Sequence, residues 1–548
     1  MQLSRGGIRP LKITDLPFDI LRCIFEYFRD DPLLSGDRAV CWDDYEYSEP
    51  DVPRWGQRRD LKSARLACRL FCDLASPHLL SVVELELSPS SLDMLDGISR
   101  APRIAAGVRA IRLWLADRSE DLADDIRMFR DACLQRLEET ESNLKYDLRR
   151  WREDRQNRPE RDRAEQHRGL RVEEAAAAMA RLRREWTLYP EHPDGEMTLS
   201  EYQKLLLQAH HEFRRMHQEQ RRLLEDGSFA RSVASAVARM GNVRSFRLTS
   251  ETPDRHKRAF FRGRARRRVV RDTDTLIRFL ASPFSWSGYC AKLLWELPIA
   301  LHRAGASLTD LSLNYLPLSQ NAPMLCPRSP DTPGDAVWDE LSAACEQLEI
   351  LHVVDDSYED LPEEAKPYVD KYLASVLARC GGRLRRLHLN FRLPLDDAIE
   401  FKWYYAGPVI GALQGFPRAQ VLLLKGVQLR QAQLEALCDK LGHGNLTRLH
   451  LADIRLQSGS WVGAVEILRQ KVALAETKAP GELDVSVRKL FGGEFSTVVS
   501  DSWVEKREAD MRRWMLIRET ERYTKGQRED NPLRKREIQS RLRTPVSG

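Results

Sequence analysis

At 548 residues the chain is far longer than one ordinary domain, so a substantial buried core and two or more structural units are expected. Its 87 Lys and Arg against 82 Asp and Glu leave a formal net charge of +5, an even spread of both signs that argues against a nucleic-acid-binding field. Ten scattered cysteines, with Cys68 and Cys72 the one close pair, indicate neither a zinc knuckle nor a disulfide framework.

The opening residues MQLSRGG lead into polar sequence with no apolar secretory run, and no apolar stretch approaches the roughly 20 residues that cross a bilayer. A soluble protein of the cytoplasm or nucleus is the expectation, and the sequence does not choose between them. The Arg-rich stretch Arg264 to Arg271 fits a nuclear-targeting signal and an exposed loop equally.

Residues 14 to 28 read TDLPFDILRCIFEYF, with Leu16, Ile20, Leu21, Ile24, Phe25 and Phe28 at helical spacing, Pro17 in the first turn and Asp15 as N-cap. A second amphipathic segment, 61 to 75, places Leu61, Ala64, Cys68 and Phe71 on one face and ends at Ser76-Pro77. Together, Leu16-Pro17, Asp19, Ile20-Leu21, Ile24-Phe25, Phe28, then Ser63-Ala64-Arg65-Leu66, Cys68, Phe71 and Leu74 to Leu79 resemble the F-box of many fungal proteins.

That resemblance implies a small helical domain, residues 12–80, docking on the Skp adaptor and through it on cullin. Leu16, Pro17, Ile20, Leu21, Ile24, Phe25 and Phe28 would be the adaptor-binding residues. The family joins its helices by a few residues, whereas here 29–60 intervene, an acidic and aromatic stretch that includes WDDYEYSEPDVPRW. Its prolines and acidic run predict an exposed loop, which long-loop entropy permits.

Beyond residue 80 an LxL-like unit recurs, clearest at Leu308-x-x-Leu311-x-Leu313, Leu348-x-x-Leu351-x-Val353, Leu384-x-x-Leu387-x-Leu389 and Leu446-x-x-Leu449-x-Leu451. Weaker copies lie at Val82 to Leu87, Val108 to Leu113, Val243 to Leu248, Leu422 to Leu424 and Leu483 to Val487. Such alternation predicts strands buried on one side, and the helical stretches between them (336–345, 368–380, 431–441, 462–472) predict parallel pairing. The units resemble the irregular leucine-rich repeats that follow F-boxes in substrate receptors, although the expected Asn after the motif occurs only at Asn314 and Asn390. A doubly wound α/β sheet is the alternative, without any Gly-x-Gly-x-x-Gly or phosphate loop to support it.

The expected fold class is therefore α/β: a small helical F-box-like domain followed by an irregular leucine-rich-repeat-like solenoid with a charged helical insertion. First repeat units fill 81–116, the insertion 117–227, the substrate-binding body 228–502, and a charged helix that frays after Lys525 fills 503–548. In the insertion, Leu134, Leu137, Leu144, Leu148 and Trp151 form one stripe, Val172, Ala175, Met179, Leu182 and Trp186 a second, and Leu205, Ala209, Phe213 and Met216 a brace. They serve a partner-contact arm or a plain insertion.

No nucleophile–base pair, paired carboxylates or metal set is spaced for catalysis. His210, His211 and His217 read as surface histidines, and Cys23 and Cys68 as small buried thiols. The expectation is a non-enzyme without cofactor or metal, the substrate-recognition subunit of an SCF-type (Skp-cullin-F-box) ubiquitin ligase; the alternative is a repeat-based scaffold outside ubiquitin ligation. Ser312, His352, His388 and His450, lying between buried leucines, would share one face of consecutive parallel strands and bind a client protein.

Overall fold

The computed structural model describes residues 12–28, 55–115, 118–157, 177, 179–188, 200–249, 288–314, 316, 325, 334–355, 366–391, 403–441, 445–478, 483–495 and 503–534. Ten strands form one parallel sheet: β1 (Val82–Glu86), β2 (Ala110–Trp114), β3 (Ser245–Thr249), β4 (Asp310–Asn314), β5 (Ile350–Asp355), β6 (Arg386–Phe391), β7 (Tyr404–Tyr405), β8 (Val421–Arg430), β9 (Arg448–Ser458) and β10 (Asp484–Phe491). Their order across the sheet is their order in the chain, except that β6 pairs directly with β8 and β7 pairs with the far end of β8.

The period-two alternation explains the register. Val83, Ile111, Phe246, Leu311, Leu351, Leu387, Leu422, Leu449 and Val485 are aligned across the nine long strands, and all are buried in one core. The next aligned row, from Leu85 to Val487, lies in the same core. Helices supply its other half through residues such as Leu95, Val233, Leu297, Leu341, Leu373, Leu437 and Leu468.

The last three strands share a device that short LxL motifs do not announce. Gly426, Asp453 and Lys489 all adopt left-handed backbone, with φ of 67°, 49° and 47°, and they occupy equivalent places between the paired residues Lys425, Ala452 and Arg488 and the paired residues Val427, Ile454 and Leu490. Each adds one residue to the alternation, so the strand bends and Val427, Ile454 and Leu490 return to the core side. Gly426 is required twice over: a Cβ there would lie 1.6 Å from the carbonyl oxygen of Phe391. Phe391 in turn stacks on Tyr404 of β7, with ring centroids 4.0 Å apart.

A separate F-box-like module followed by a leucine-rich-repeat solenoid is not what the chain builds; it forms a single mixed α/β domain around a continuous parallel sheet. The N-terminal helices Phe18–Glu26, Trp55–Ala67 and Arg69–Ala75 run through a short 3-10 turn, Ser76–His78, into β1. Leu80 packs against both the N-terminal cluster and the main core. Arg103 pairs with Asp73 at 2.9 Å, and Gly107 sits so close to Pro77 that a Cβ would lie 1.7 Å from its carbonyl oxygen. The physical reason for the misreading is that LPxDIL reports one buried helix face and LxL one buried strand face, and neither reports how units assemble.

Local corrections follow the same line. Asp15 caps the 3-10 turn Ile13–Asp15, accepting from the Lys12 N–H at 2.9 Å, while Pro17 is the N-cap of Phe18–Glu26. The segment 61 to 75 is broken at Cys68, whose Sγ accepts from the Phe71 N–H and caps a new helix. Trp55–Asp60, expected in the loop, belongs to the helix Trp55–Ala67; residues 29–54, with Trp42, Tyr45 and Tyr47, lie outside the described residues, as do Arg264 to Arg271.

At the other end, residues of the expected frayed tail up to Arg534 pack against the body, while 535–548 lie outside the described residues. Leu533 is buried in the main core, Asn531 Nδ2 donates to the Val462 carbonyl at 3.2 Å, and Arg534 pairs with Glu466 at 2.6 Å. The helix Trp503–Thr524 buries Leu516, Ile517, Thr520, Tyr523 and Thr524, whereas Met511, Trp514 and Met515 are exposed. It lies along β10, where Arg513 donates to the Leu490 carbonyl at 2.6 Å and covers the Phe491 ring.

The charged insertion enters between β2 and β3 without parting them. Phe129, Cys133 and Leu137 of the helix Ile126–Asn157 are buried, as are Met179, Leu182 and Trp186, and Leu206, Ala209 and Phe213 of the helix Glu201–Glu225. Phe129 packs on Phe213 with centroids 5.2 Å apart, Arg183 reaches Glu138 and Glu141 at 3.4 and 3.5 Å, and Trp186 Nε1 donates to the Tyr202 carbonyl at 2.7 Å. Val172 and Ala175 and the side chains of Leu144, Leu148 and Trp151 lie outside the described residues.

Candidate functional site

Because one strand face is committed to the core, the intervening residues form a second face. Its middle row runs Glu84, Arg112, Arg247, Ser312, His352, His388, Leu423, His450 and Ser486, aligned from β1 to β10. The four residues expected to share a face, Ser312, His352, His388 and His450, are thus brought into one row, with Leu423 between the second and third histidines. Eight of the nine are polar, in contrast to the apolar rows on the other face.

The centre of the row is tightly arranged. His352 and His388 stack with ring centroids 4.1 Å apart and planes 21° from parallel. Ser312 Oγ donates to Asn314 Oδ1 at 3.2 Å, using its one hydrogen, so the 3.3 Å contact between Ser312 Oγ and His352 Nδ1 requires Nδ1–H as donor. His352 Nε2 is then the unprotonated nitrogen; it is buried and has no hydrogen-bond partner among the described residues. Asn390, two residues beyond His388 on the same face, likewise carries a buried Oδ1 with no hydrogen-bond partner there.

Charges around the row act against protonation of the pair. Desolvation lowers His352 to about 3, with Arg247 adding to the effect. His388 is held well below the usual imidazole value by desolvation, then by His352, Lys425 and His450. His450 differs: its Nε2 lies 2.8 Å from Asp484 Oδ2, yet desolvation outweighs that carboxylate and its value is still lowered. Asp310, at the start of β4, is pushed up to about 6 by burial, against the opposing effect of Ser245, Arg247 and Arg386.

The chemistry this arrangement offers is hydrogen bonding by neutral imidazoles, hydroxyls and amides, bounded by guanidiniums. Ser486 is paired in the ladder with His450, and Asp484, two residues before Ser486, is the group that bonds the imidazole. Among the described residues no group of three or more His, Cys, Asp or Glu is placed to hold a metal ion.

The residues read as adaptor-binding are divided between the interior and the surface. Leu21 and Phe25 point inward and pack with Leu61, Leu74, Ala75 and Leu79. Leu16 and Phe28 are half-buried, while Pro17, Ile20 and Ile24 are exposed alongside Ile13, Phe18 and Tyr27. Of the two thiols read as buried, Cys23 is exposed and Cys68 half-buried.

Two histidines read as surface residues have structural work. His217 is buried and its Nδ1 donates to the Arg118 carbonyl at 2.7 Å, while Gln220 Oε1 accepts from the Arg118 N–H at 3.0 Å. His210 Nε2 donates to the Leu122 carbonyl at 3.2 Å. His210, Phe213, His217 and Gln220 recur at the three-and-four spacing of one helix face, the signal that separates them from His211, which is exposed.

Among the described residues no helix is long and apolar enough to cross a membrane. No protein-family model, no curated protein and no solved structure matches the chain.

Proposed function

We propose that the protein is a non-catalytic binding protein that presents the polar face of its sheet to an extended polypeptide segment of a partner. The observation that carries this reading is the unbroken row from Glu84 to Ser486, one side chain per strand in exact register. At the usual spacing of about 4.8 Å between strands, nine strands give a row roughly 38 Å long. A row of that length is far larger than a small-molecule cavity and suits a polypeptide of about a dozen extended residues. Near its middle the half-buried rings of His352 and His388 would meet the partner, with the buried Ser312 and His450 supporting the face on either side.

The test is site-specific photo-crosslinking in cells. A photoreactive residue at Glu84 or Arg247 on the polar face should capture the same partner, and one at Arg303, exposed on the helix side, should not. Equal capture from both sides, or capture from Arg303 alone, would remove the polar face as the binding surface.

A further inference from the structure

Two neighbouring strands carry an imidazole at the same register position, and the structure fixes where the next proton must go. His352 spends Nδ1–H on Ser312, whose own hydrogen is spent on Asn314. The remaining basic nitrogen, Nε2, is buried and meets no acceptor among the described residues. A proton added there becomes an N–H without an acceptor and a positive charge 4.1 Å from the centroid of the His388 ring. Neither consequence can be relieved while the rings stay stacked.

The surroundings on every adjoining strand sharpen this. From β3 the pair faces Arg247; from β4, Ser312, Asn314 and Asp310; from its own strands, Arg386 and Asn390; from β8, Lys425; and from β9, His450 and Arg448, with Asp484 and Arg488 beyond on β10. Of the carboxylates, Asp310 lies between Arg247 and Arg386, and Asp484 is bonded to His450 and close to Arg448. The charges that act on the two stacked rings are Arg247, Lys425 and His450. His450 is the built-in contrast, because its own proton would be received by Asp484 at 2.8 Å.

We propose that the stacked pair His352–His388 is an acid-sensitive seam in the sheet: proton uptake by the pair unstacks the rings and loosens β5 from β6, while the β1–β2 end stays closed. The device goes beyond partner binding and does not depend on it. Its expected size follows from linkage: an imidazole with a closed value of about 3 and an open value near 6.5 favours opening about thirtyfold at pH 5.0.

Hydrogen exchange on the whole chain at pH 7.5 and pH 5.0, corrected for intrinsic rates, reads this directly. Peptides covering Ile350–Asp355 and Arg386–Phe391 should lose at least about tenfold of their protection at pH 5.0, with Val82–Glu86 and Ala110–Trp114 unchanged. In the variant His352→Gln/His388→Gln the loss should disappear, whereas His450→Gln should keep it. Should the double variant fail to fold, the comparison of strands within the unaltered protein, together with His352→Asn, decides the matter. Equal loss in all strands, no loss in β5 and β6, or the same loss without the imidazoles would overturn the seam.

Discussion

The two faces of the sheet are made by the same strands and differ in what their side chains answer to. On the helix side, Leu351, Leu387 and Leu422 stand in register and are essentially inaccessible; they are interchangeable in kind, and their role is volume and exclusion of water. On the other side their sequence neighbours are His352, His388 and Leu423, two imidazoles stacked on each other beside an apolar side chain. A face in which every row is alike specifies the fold. A face on which charged, polar, aromatic and apolar side chains follow one another has no such uniform role.

That contrast predicts unequal costs for neighbouring residues. Leu387→Ala removes a buried side chain from the middle of the core and should destabilise the protein by about 2–5 kcal/mol in a denaturant titration. Gly426→Ala tests the bend that redirects β8: left-handed backbone and a methyl group driven into the Phe391 carbonyl should together cost about 3 kcal/mol. A cost below about 1 kcal/mol would mean that the bend relaxes freely and is no part of the specification.

The alternation behind the helix-side face was legible from the sequence because a period of two with Leu, Val or Ile at each repeat has one physical reading, a strand buried on one side. Hence the strands of Leu311, Leu351, Leu387 and Leu449 could be assigned to one parallel sheet from the sequence alone. The helices that join several of them, expected at 336–345, 368–380, 431–441 and 462–472, were legible too; the bends within the strands were not. The bend at Gly426, Asp453 and Lys489 is shared by positions 27 and 36 residues apart in the chain, and a left-handed aspartate and lysine leave no compositional trace. The two-residue strand Tyr404–Tyr405 is too short for periodicity. The F-box reading failed for a related reason: Leu21 and Phe25 bury as the pattern requires, but the same pattern serves any helix with one buried face, and the assembly around it is one α/β domain. For the polar row, the sequence could align the histidines; it could not reveal the Ser312–His352 bond or the stacking, which depend on adjacent strands.

Acid should discriminate between the faces, because the helix-side face holds few groups that titrate. The sign follows from His352, whose folded value, about 3, lies below the roughly 6.5 of an unfolded imidazole. Its contribution is therefore fully present above pH 6.5 and is lost as pH falls toward 3, at up to about 1.4 kcal/mol per pH unit. Relative to His352→Gln, the unaltered protein should lose up to about 2 kcal/mol of unfolding free energy between pH 7.5 and 5.0, measured by denaturant titration at both pH values. An unchanged difference between the two proteins would show that the imidazole is solvated in the folded state.

The smallest effect is expected where the polar row reaches the β1 edge. Glu84 and Arg112 approach to 3.7 Å with a sixth to a quarter of each side chain still exposed, and Arg112 also lies over the Trp114 ring at 5.7 Å. Water screens a pair of this kind, and ordering two long side chains offsets much of the attraction, so Glu84→Gln should change stability by less than about 1 kcal/mol. The substitution keeps the shape of the side chain and removes only its charge, which makes it a fair probe of electrostatics at that edge. Raising the salt concentration should shrink even this difference. If Glu84→Gln instead cost as much as Leu387→Ala, the polar row would be a second structural layer with its charges locked in place, and the division of labour between the two faces would fail at the strand where the sheet begins.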